Sequence, residues 1–328
     1  MKTIKTTVIH HSADFDGLFC REIARKFLPD AELIGWDFGD APLEIPSGPI
    51  YVMDLPIDRI FGFDYSKVGN KRGPQHPPGL VWIDHHKSSI ETHPKDIPGY
   101  RIDGVAACRL AWQWFQSLDH VVKSGYHSPL HTLDSDRKAG GLLLPKKQDY
   151  IDRKVEEPLA VRLAGEYDIH DSRMKTEPDI ELFQHGLRSE DVNFERLLNT
   201  ITIEDAADYV EELLKNAKIL SFARANEYRD VITQQGFDVE FEGVKFLACN
   251  SHECDIRSQL FEAGIKPHHE ALLGFTFTGH DWRISMYRID GKETDILSIA
   301  KKYGGGGHPG ANGFRSSDMA SILGSSHF

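Results

Sequence analysis

The stretch HHSADFDG, residues 10–17, directly follows the short apolar run Thr6–Ile9. The apolar run predicts a β-strand, and the residues after Asp16 show the apolar spacing of a helix. His10, Asp14 and Asp16 are therefore expected at the carboxyl end of a strand, at the point where the chain enters a helix. A strand followed at once by a helix is the opening of a βαβ unit and predicts a mostly parallel sheet.

Two further apolar runs in the first 86 residues also end in carboxylates or imidazoles. Their polar residues are Asp54 after the run 50–53, and Asp84, His85 and His86 after the run 80–83. The carboxyl ends of parallel strands meet at one edge of the sheet, where ligands bind. A single Asp after a strand is commonly a helix N-cap, but three strand ends with matched ligands are hard to explain as caps. Oxygen and nitrogen ligands without thiolate suit two divalent ions such as Mn²⁺ or Mg²⁺.

The remaining pattern predicts an α/β protein of two domains. Residues 1–195 are expected to form a mostly parallel sheet with helices on both faces, interrupted by an irregular surface insertion at about 119–150. One helix of this domain is expected to start at Asp103, with Asp103 as its N-cap. A charged helical connector, 196–235, leads to closely spaced strands in 236–328, which predict a smaller α/β domain.

A run of four glycines, Gly304–Gly307, is followed by His308. Four residues without a Cβ let backbone N–H groups approach a phosphate closely, and His308 can donate to a phosphate oxygen. A flexible linker is the alternative, but the ordered-looking continuation through Phe314 argues against it. We therefore predict a ligand-facing loop, in which the binding residues are Gly305, Gly306, Gly307 and His308.

Composition excludes several classes of protein. The 328 residues carry a net charge of −12, from 38 basic and 50 acidic side chains, which argues against tight, sequence-blind binding of long duplex DNA. Since the chain contains neither an 18-residue apolar run nor an apolar signal-peptide core near Met1, we expect a cytoplasmic enzyme that does not bind membranes. The four cysteines match no zinc pattern. The oligomeric state, including a homodimer, stays open.

Together these motifs resemble the DHH phosphoesterase superfamily, whose naming motif matches Asp84-His85-His86. The C-terminal part resembles the superfamily's DHH-associated substrate-binding domain, which carries a glycine run followed by His. The resemblance covers nearly the whole chain except residues 119–150 and the connector. The layout is similar to that of stand-alone nano-RNases (oligoribonucleases) and related cyclic-dinucleotide phosphodiesterases.

This resemblance implies a set of site residues. The metal ligands that it implies are His10 and Asp14 for one ion, Asp16, His85 and Asp168 for the other, and Asp54 bridging both. Asp171 lies close to Asp168 in sequence and is the alternative ligand there. Asp84 is expected to orient a histidine of the motif from behind the ligands, and His86 is expected to touch the scissile phosphate.

The resemblance also implies a reaction. The expected function is a metal-dependent phosphodiesterase that hydrolyses short oligoribonucleotides or linear dinucleotides. Two metal ions, expected to be Mn²⁺ with Mg²⁺ as the alternative, can lower the pKa of a water molecule that then attacks phosphorus. His86 can stabilise the reacting phosphate or protonate the leaving oxygen. The alternatives are a cyclic-dinucleotide phosphodiesterase, a pAp phosphatase, a single-strand DNA exonuclease of the RecJ type and a non-catalytic nucleotide sensor.

One position departs from the family pattern. In the family, a basic residue in the strand before the glycine run helps to hold the terminal phosphate of the substrate. Tyr287 stands about where that residue is expected, so we predict that Arg283 or Arg288 takes its role.

Overall fold

The computed structural model describes residues 5–63, 76–123, 138–139, 142–189, 191–199, 203–251 and 258–324. The chain divides into two compact units, Met1–Lys218 and Ile219–Phe328. The domain limits at 195 and 235 stay predictions. Among the described residues, none of the helices combines the length and the apolar character that crossing a membrane requires.

The first unit is built on a four-stranded parallel sheet, as the strand pattern predicted. Its strands are β1 (Thr7–His11), β2 (Glu32–Trp36), β3 (Ile50–Met53) and β4 (Leu80–Ile83). The strand order is β2-β1-β3-β4, with all three pairings parallel. The chain therefore adds β2 on one side of β1 and β3 on the other. Such a reversal opens a crevice at the carboxyl ends of the strands, where ligands bind in this kind of sheet.

Helices flank this sheet. They are α1 (Phe15–Phe27), α2 (Ile57–Phe61), α3 (Lys87–Thr92), α4 (Ala107–Lys123), α5 (Lys147–Ile151), α6 (Leu159–Asp168), α7 (Asp179–Leu187) and α8 (Phe194–Leu197), with a 3-10 helix at Ser172–Lys175. Val8 and Ile83 on one face of the sheet pack in a core with α1 and α4. Ile9 and Val52 on the other face pack with α2. Both faces are covered because successive side chains of a strand point to opposite sides.

Helix α4 begins later than the sequence suggested, so the predicted N-cap Asp103 is wrong. The first helical residue is Ala107, and the carboxylate that accepts its amide belongs to Asp16. Gly104, at a φ of +80°, lies in the turn that precedes the helix. Of the predicted irregular insertion, residues 119–123 and 147–150 are helical, and residues 138–139 and 142–143 form the short strands β5 and β6. Residues 124–137, with their two histidines, lie outside the described residues.

The second unit carries a six-stranded mixed sheet, which confirms the smaller α/β part. Its strands are β7 (Phe237–Phe241), β8 (Val244–Asn250), β9 (Ala271–Phe277), β10 (Trp282–Arg288), β11 (Gly306–His308) and β12 (Ala311–Ser316). The order is β11-β12-β10-β9-β8-β7, and of these pairings only β8–β9 is parallel. Its helices are α10 (Ile296–Lys302) and α11 (Ala320–Leu323), a 3-10 helix at Ser258–Gly264, and the last part of α9 (Ile203–Gln235), which enters from the first unit.

Candidate metal centre

Acidic and imidazole side chains converge at the carboxyl edge of the parallel sheet. Three groups have ligand atoms within 4.8 Å of one another, and they consist of His11, Asp14 and Asp54; of Asp16, His85 and Asp168; and of Asp54, His85 and His86. The third group shares Asp54 with the first and His85 with the second, so the three form one continuous cluster. We call these seven residues the metal cluster.

The structure places His11, and not the predicted ligand His10, in the metal cluster. The two residues are neighbours on β1, so their side chains point to opposite faces of the sheet. His10 is buried, its Nδ1 lies 2.7 Å from the carbonyl oxygen of His11, and burial lowers its pKa. Its ring lies against Gly35 on β2, where a Cβ would come within 3.5 Å of it. His11 instead places its Nδ1 2.8 Å from Oδ2 of Asp14.

Asp54 lies between the two halves of the metal cluster. Its Oδ2 is 3.5 Å from Nδ1 of His11, and its Oδ1 is 3.3 Å from Nε2 of His85. The residue is buried and has a φ of +60°, a left-handed conformation that few residues other than glycine adopt. The bond from its amide to the carbonyl of Ile83 on β4, 2.9 Å long, helps to hold this geometry. Strain of this kind is typical of functional sites.

Asp16 is held by the amino end of another helix. Its two carboxylate oxygens accept the amides of Ala107 at 2.9 Å and of Cys108 at 2.7 Å, the first residues of α4. These bonds supply acceptors for helix-end amides that have no partner within the helix. Burial, and then the charge of Asp54, raise the pKa of Asp16 to about 7. The carboxylate is therefore fixed in position although its charge is poorly compensated.

Asp14 is the N-cap of α1 and accepts the amide of Gly17 at 3.0 Å. Hydrogen bonds with Asp14 and Asp54 raise the pKa of His11 to about 11. Burial alone would lower the pKa of His85, but the carboxylates of Asp54, Asp16 and Asp168 raise it to about 10. Both imidazoles are thus surrounded by negative charge.

Asp168, at the end of α6, joins the metal cluster, and Asp171 does not. Oδ2 of Asp168 lies 3.3 Å from Nε2 of His85, is buried, and has no hydrogen-bond partner among the described residues. Burial and the charge of Asp16 raise the pKa of Asp168 to about 7. Asp171 instead caps the following 3-10 helix and forms an ion pair with Arg173.

Asp84 lies behind the metal cluster and contacts the two histidines that follow it. Its Oδ1 accepts the amides of His85 at 2.8 Å and His86 at 3.3 Å, and it lies 2.7 Å from Nδ1 of His86. The hydrogen bond with Asp84 raises the pKa of His86, whose side chain is 41 % exposed. This contact engages Nδ1 of His86 and leaves Nε2 as the nitrogen that can meet a ligand.

These residues fit hard or borderline divalent cations. The donors are carboxylate oxygens and imidazole nitrogens, without a thiolate. Four carboxylates lie together in a largely buried place, one of them with an oxygen that lacks a partner among the described residues. Positive charge at this point would compensate them and would also restore the usual acidity of Asp16 and Asp168.

Two residues at the site were missed by sequence reasoning. His11 was passed over because the HH pair offers two candidates, and the match to the family motif favoured His10. Asp37, just after β2, lies 3.2 Å from Nε2 of His11 through its Oδ1. A carboxylate behind a ligating histidine commonly orients the ring, but no pattern in the sequence singled Asp37 out.

In the second unit, the predicted glycine loop is partly a strand. Gly306 and His308 on β11 pair with Gly313 and Ala311 on β12. A Cβ on Gly305 would lie 2.0 Å from the carbonyl oxygen of Gly313, whereas one on Gly306 would meet nothing within 4 Å. Gly305 is thus needed for close packing of the backbone, while Gly306 and His308 are exposed.

The two predicted arginines lie on opposite faces of β10. Arg283 shares a face with Ser285 and lines a groove of about 390 Å³ over β10 and β12. Arg288 lies on the other face of the strand, at its end, and does not line this groove. The groove contains a second basic residue, Arg315, which forms an ion pair with Asp281. Arg283 therefore lies in the groove, and Arg288 lies outside it, while the phosphate-binding role of either residue stays a prediction.

No protein-family model matches the sequence, and no curated protein does. Among solved structures, the chain is similar to a pGpG-specific phosphodiesterase from Vibrio cholerae, with 14% identity over 97% of this chain and 95% of that one, at a TM-score of 0.43. It is similar to an exopolyphosphatase-related protein from Bacteroides fragilis, with 13% identity over 95% and 87% of the chains and a TM-score of 0.40. It is also similar to RecJ from Thermus thermophilus, with 16% identity over 98% and 48% of the chains and a TM-score of 0.44.

Proposed function

We propose that this chain is a phosphoesterase of the DHH superfamily, a metal-dependent phosphodiesterase that hydrolyses short oligoribonucleotides or linear dinucleotides. The observation that carries the proposal is the metal cluster itself. Two sets of three ligands, one around His11 and one around Asp168, are joined through Asp54 and His85. Paired sites of this kind serve the hydrolysis of phosphate esters.

Divalent cations bound here would supply positive charge to the phosphate and acidify a water molecule. The protein's part is to hold these groups in place. The amides of α4 fix Asp16, and Asp54 is fixed by the hydrogen bond that its own amide donates to Ile83 on β4. Ligands held on strand ends and helix ends move little, which keeps the reacting groups aligned.

His86 is the proposed proton donor. Asp84 engages its Nδ1 and favours the protonated ring, so that Nε2–H can donate to a phosphate oxygen or to the leaving oxygen. A histidine oriented by a buried carboxylate is a common arrangement for this purpose.

The second unit supports a phosphorylated substrate. Its groove carries the cation of Arg283 and the hydroxyl of Ser285. Ser285 on β10 pairs with Gly313 on β12, and Gly313 pairs in turn with Gly306 on β11. Backbone amides without side chains and one arginine are suited to a phosphate group. A cyclic dinucleotide or pAp offers the same phosphates, and these stay the alternative substrates. A cytoplasmic location and a homodimer also stay predictions.

Hydrolysis of a panel of substrates tests the proposal. The panel holds a 5′-phosphorylated RNA dinucleotide, a longer RNA, a cyclic dinucleotide, pAp and pyrophosphate, each with Mn²⁺ and with Mg²⁺. Asp168→Asn should abolish hydrolysis, and Asp171→Asn, the matched control outside the metal cluster, should retain it. Faster hydrolysis of the dinucleotide supports the proposal. Faster hydrolysis of another substrate would show that the proposed substrate class is wrong and would identify the correct one. If no substrate is hydrolysed although metal is bound, the proposal of a phosphodiesterase activity would be overturned.

A further inference from the structure

An exposed aromatic ring lies at the rim of the metal cluster. Phe38 follows β2 by two residues, and 49 % of it is exposed to solvent. Its ring centre lies 5.6 Å from that of His11, with the ring planes at 74°. It lies 5.9 Å from that of Trp36, at 68°. Phe38 is thus next to a metal-cluster residue, and neither aromatic neighbour lies parallel to it.

The backbone around Phe38 is fixed by three hydrogen bonds. The amide of Phe38 donates to Oδ1 of Asp37 at 2.6 Å, the same oxygen that contacts His11. The amide of Asp37 donates to Asp40 at 2.9 Å, and the amide of Asp40 donates back to the carbonyl of Asp37 at 3.0 Å. Gly39, at a φ of +111°, permits this tight turn. A single exposed phenylalanine needs no explanation on an ordinary surface, but this one is held beside a reactive site.

The charge around the ring selects what can bind there. Asp37 and Asp40 flank Phe38, and Asp37 is 46 % exposed. These carboxylates repel a phosphate group at the position of Phe38. Cations bound in the neighbouring metal cluster would instead attract a phosphate group. An uncharged planar group joined to a phosphate by a short linker fits both places. In a nucleotide, the base is such a planar group and the ribose is the linker.

We propose that Phe38 stacks on a nucleobase of the substrate, on the nucleoside adjacent to the scissile phosphate. The inference rests on the proposed function and deepens it, because it makes a base part of the recognised substrate. Stacking on an aromatic side chain tolerates every base, so the subsite would require a base without choosing among bases. Pyrophosphate and other base-free phosphates lack this contact.

Binding of 2-aminopurine riboside 5′-phosphate in the presence of Mn²⁺ tests this, because stacking quenches the fluorescence of that base. The expected result is quenching on binding to the unmodified protein, and for Phe38→Ala a loss of quenching with a Kd raised about 10-fold. Phe38→Trp should retain tight binding. Ile45→Ala, which removes another exposed apolar side chain of the same unit, is the matched control and should match the unmodified protein. An unchanged Kd in Phe38→Ala, or no binding to the unmodified protein, would overturn the proposal.

Hydrolysis separates this inference from the proposed function. The dinucleotide is compared with an analogue that lacks the base on one nucleoside, in the unmodified protein and in Phe38→Ala. We expect the two changes to be non-additive, with the loss in kcat/KM for both together close to that for either alone. Additive losses would mean that the ring does not contact the base. If no dinucleotide is hydrolysed, the proposed function fails, while the fluorescence measurement still decides on Phe38. Metal content measured for each variant shows whether His11 has been disturbed.

Discussion

At the scale of single residues, the metal-free cluster holds protons that a cation must displace. The pKa of His11 is raised to about 11 and that of His85 to about 10, so both rings are protonated at pH 7. A histidine binds a metal only when it is neutral at the ligating nitrogen. Metal binding should therefore release protons, and the affinity should rise as the pH increases from 7 towards 10. Titration calorimetry in two buffers of different ionisation enthalpy measures this release, and buffer-independent heats would contradict it.

The exchange of His10 for His11 leads to a second prediction at this scale. His11→Ala removes a ligand from the metal cluster and should weaken Mn²⁺ binding by at least about 100-fold, with a corresponding loss of activity. His10→Ala is the matched control, because His10 and His11 are adjacent histidines whose side chains lie on opposite faces of β1. It should lower the stability of the protein by about 1–3 kcal/mol through lost packing while metal binding persists. The reverse ranking in a Mn²⁺ titration would restore His10 as the ligand.

Sequence reasoning succeeded for residues whose position follows from the end of a strand. Asp54 comes directly after β3, and His85 is the second residue after β4, so the parallel sheet alone brings them to one edge. It did not distinguish His10 from His11, since a shift of one residue along a strand reverses the direction of a side chain. It also missed Asp37, because a supporting carboxylate on a loop leaves no periodic signal.

At the scale of elements, α4 and the metal cluster stabilise each other through Asp16. Ala107→Pro removes one amide that donates to this carboxylate, and proline is tolerated at the first position of a helix. Loss of this charge-assisted bond should weaken Mn²⁺ binding about 10-fold and raise the pKa of Asp16 further. Ala107→Ser keeps the amide and serves as the control. Equal Mn²⁺ affinity in both variants would show that the amide has no such effect.

A close contact between α1 and β1 gives a further prediction. In an exposed helix, Gly→Ala stabilises by about 1 kcal/mol. At Gly17, a Cβ would lie 2.2 Å from the carbonyl oxygen of His11, so alanine must push the helix away from the strand. Gly17→Ala should lower the free energy of unfolding by about 1–3 kcal/mol and weaken metal binding, although it removes no ligand. Urea unfolding together with a Mn²⁺ titration measures both effects, and a more stable variant would refute the argument.

The sequence predicted elements better than it predicted their first residues. The strands β1, β3 and β4 were found within a residue or two, because short apolar runs bounded by turns leave little choice. The predicted start of α4 was wrong because the side chain that caps this helix belongs to Asp16, 91 residues earlier in the chain. Local patterns cannot contain a partner at that separation.

At the scale of the whole molecule, the apolar clusters of the two units are distinct. Those around the parallel sheet belong to the first unit, and those around β8 to β10 belong to the second. Saturation with Mn²⁺ to about 100 times its Kd should stabilise the unit that binds it by about 2.7 kcal/mol. Scanning calorimetry should show a metal-dependent rise in Tm, and chelation should reverse it. An unchanged Tm at saturating Mn²⁺ would contradict this.

The dependence of α4 on Asp16 also bears on the synthesis of the protein. Within the chain, the motif HHSADFDG comes about 90 residues before the amides of residues 107 and 108 that hold Asp16, and the last member of the metal cluster is Asp168. At about 5–20 residues per second, roughly 8–30 s of translation separate His11 from Asp168. A nascent chain shorter than this cannot assemble the complete centre. We therefore expect the complete centre to form only after Asp168 has been synthesised, and a chain that ends before that residue to be inactive.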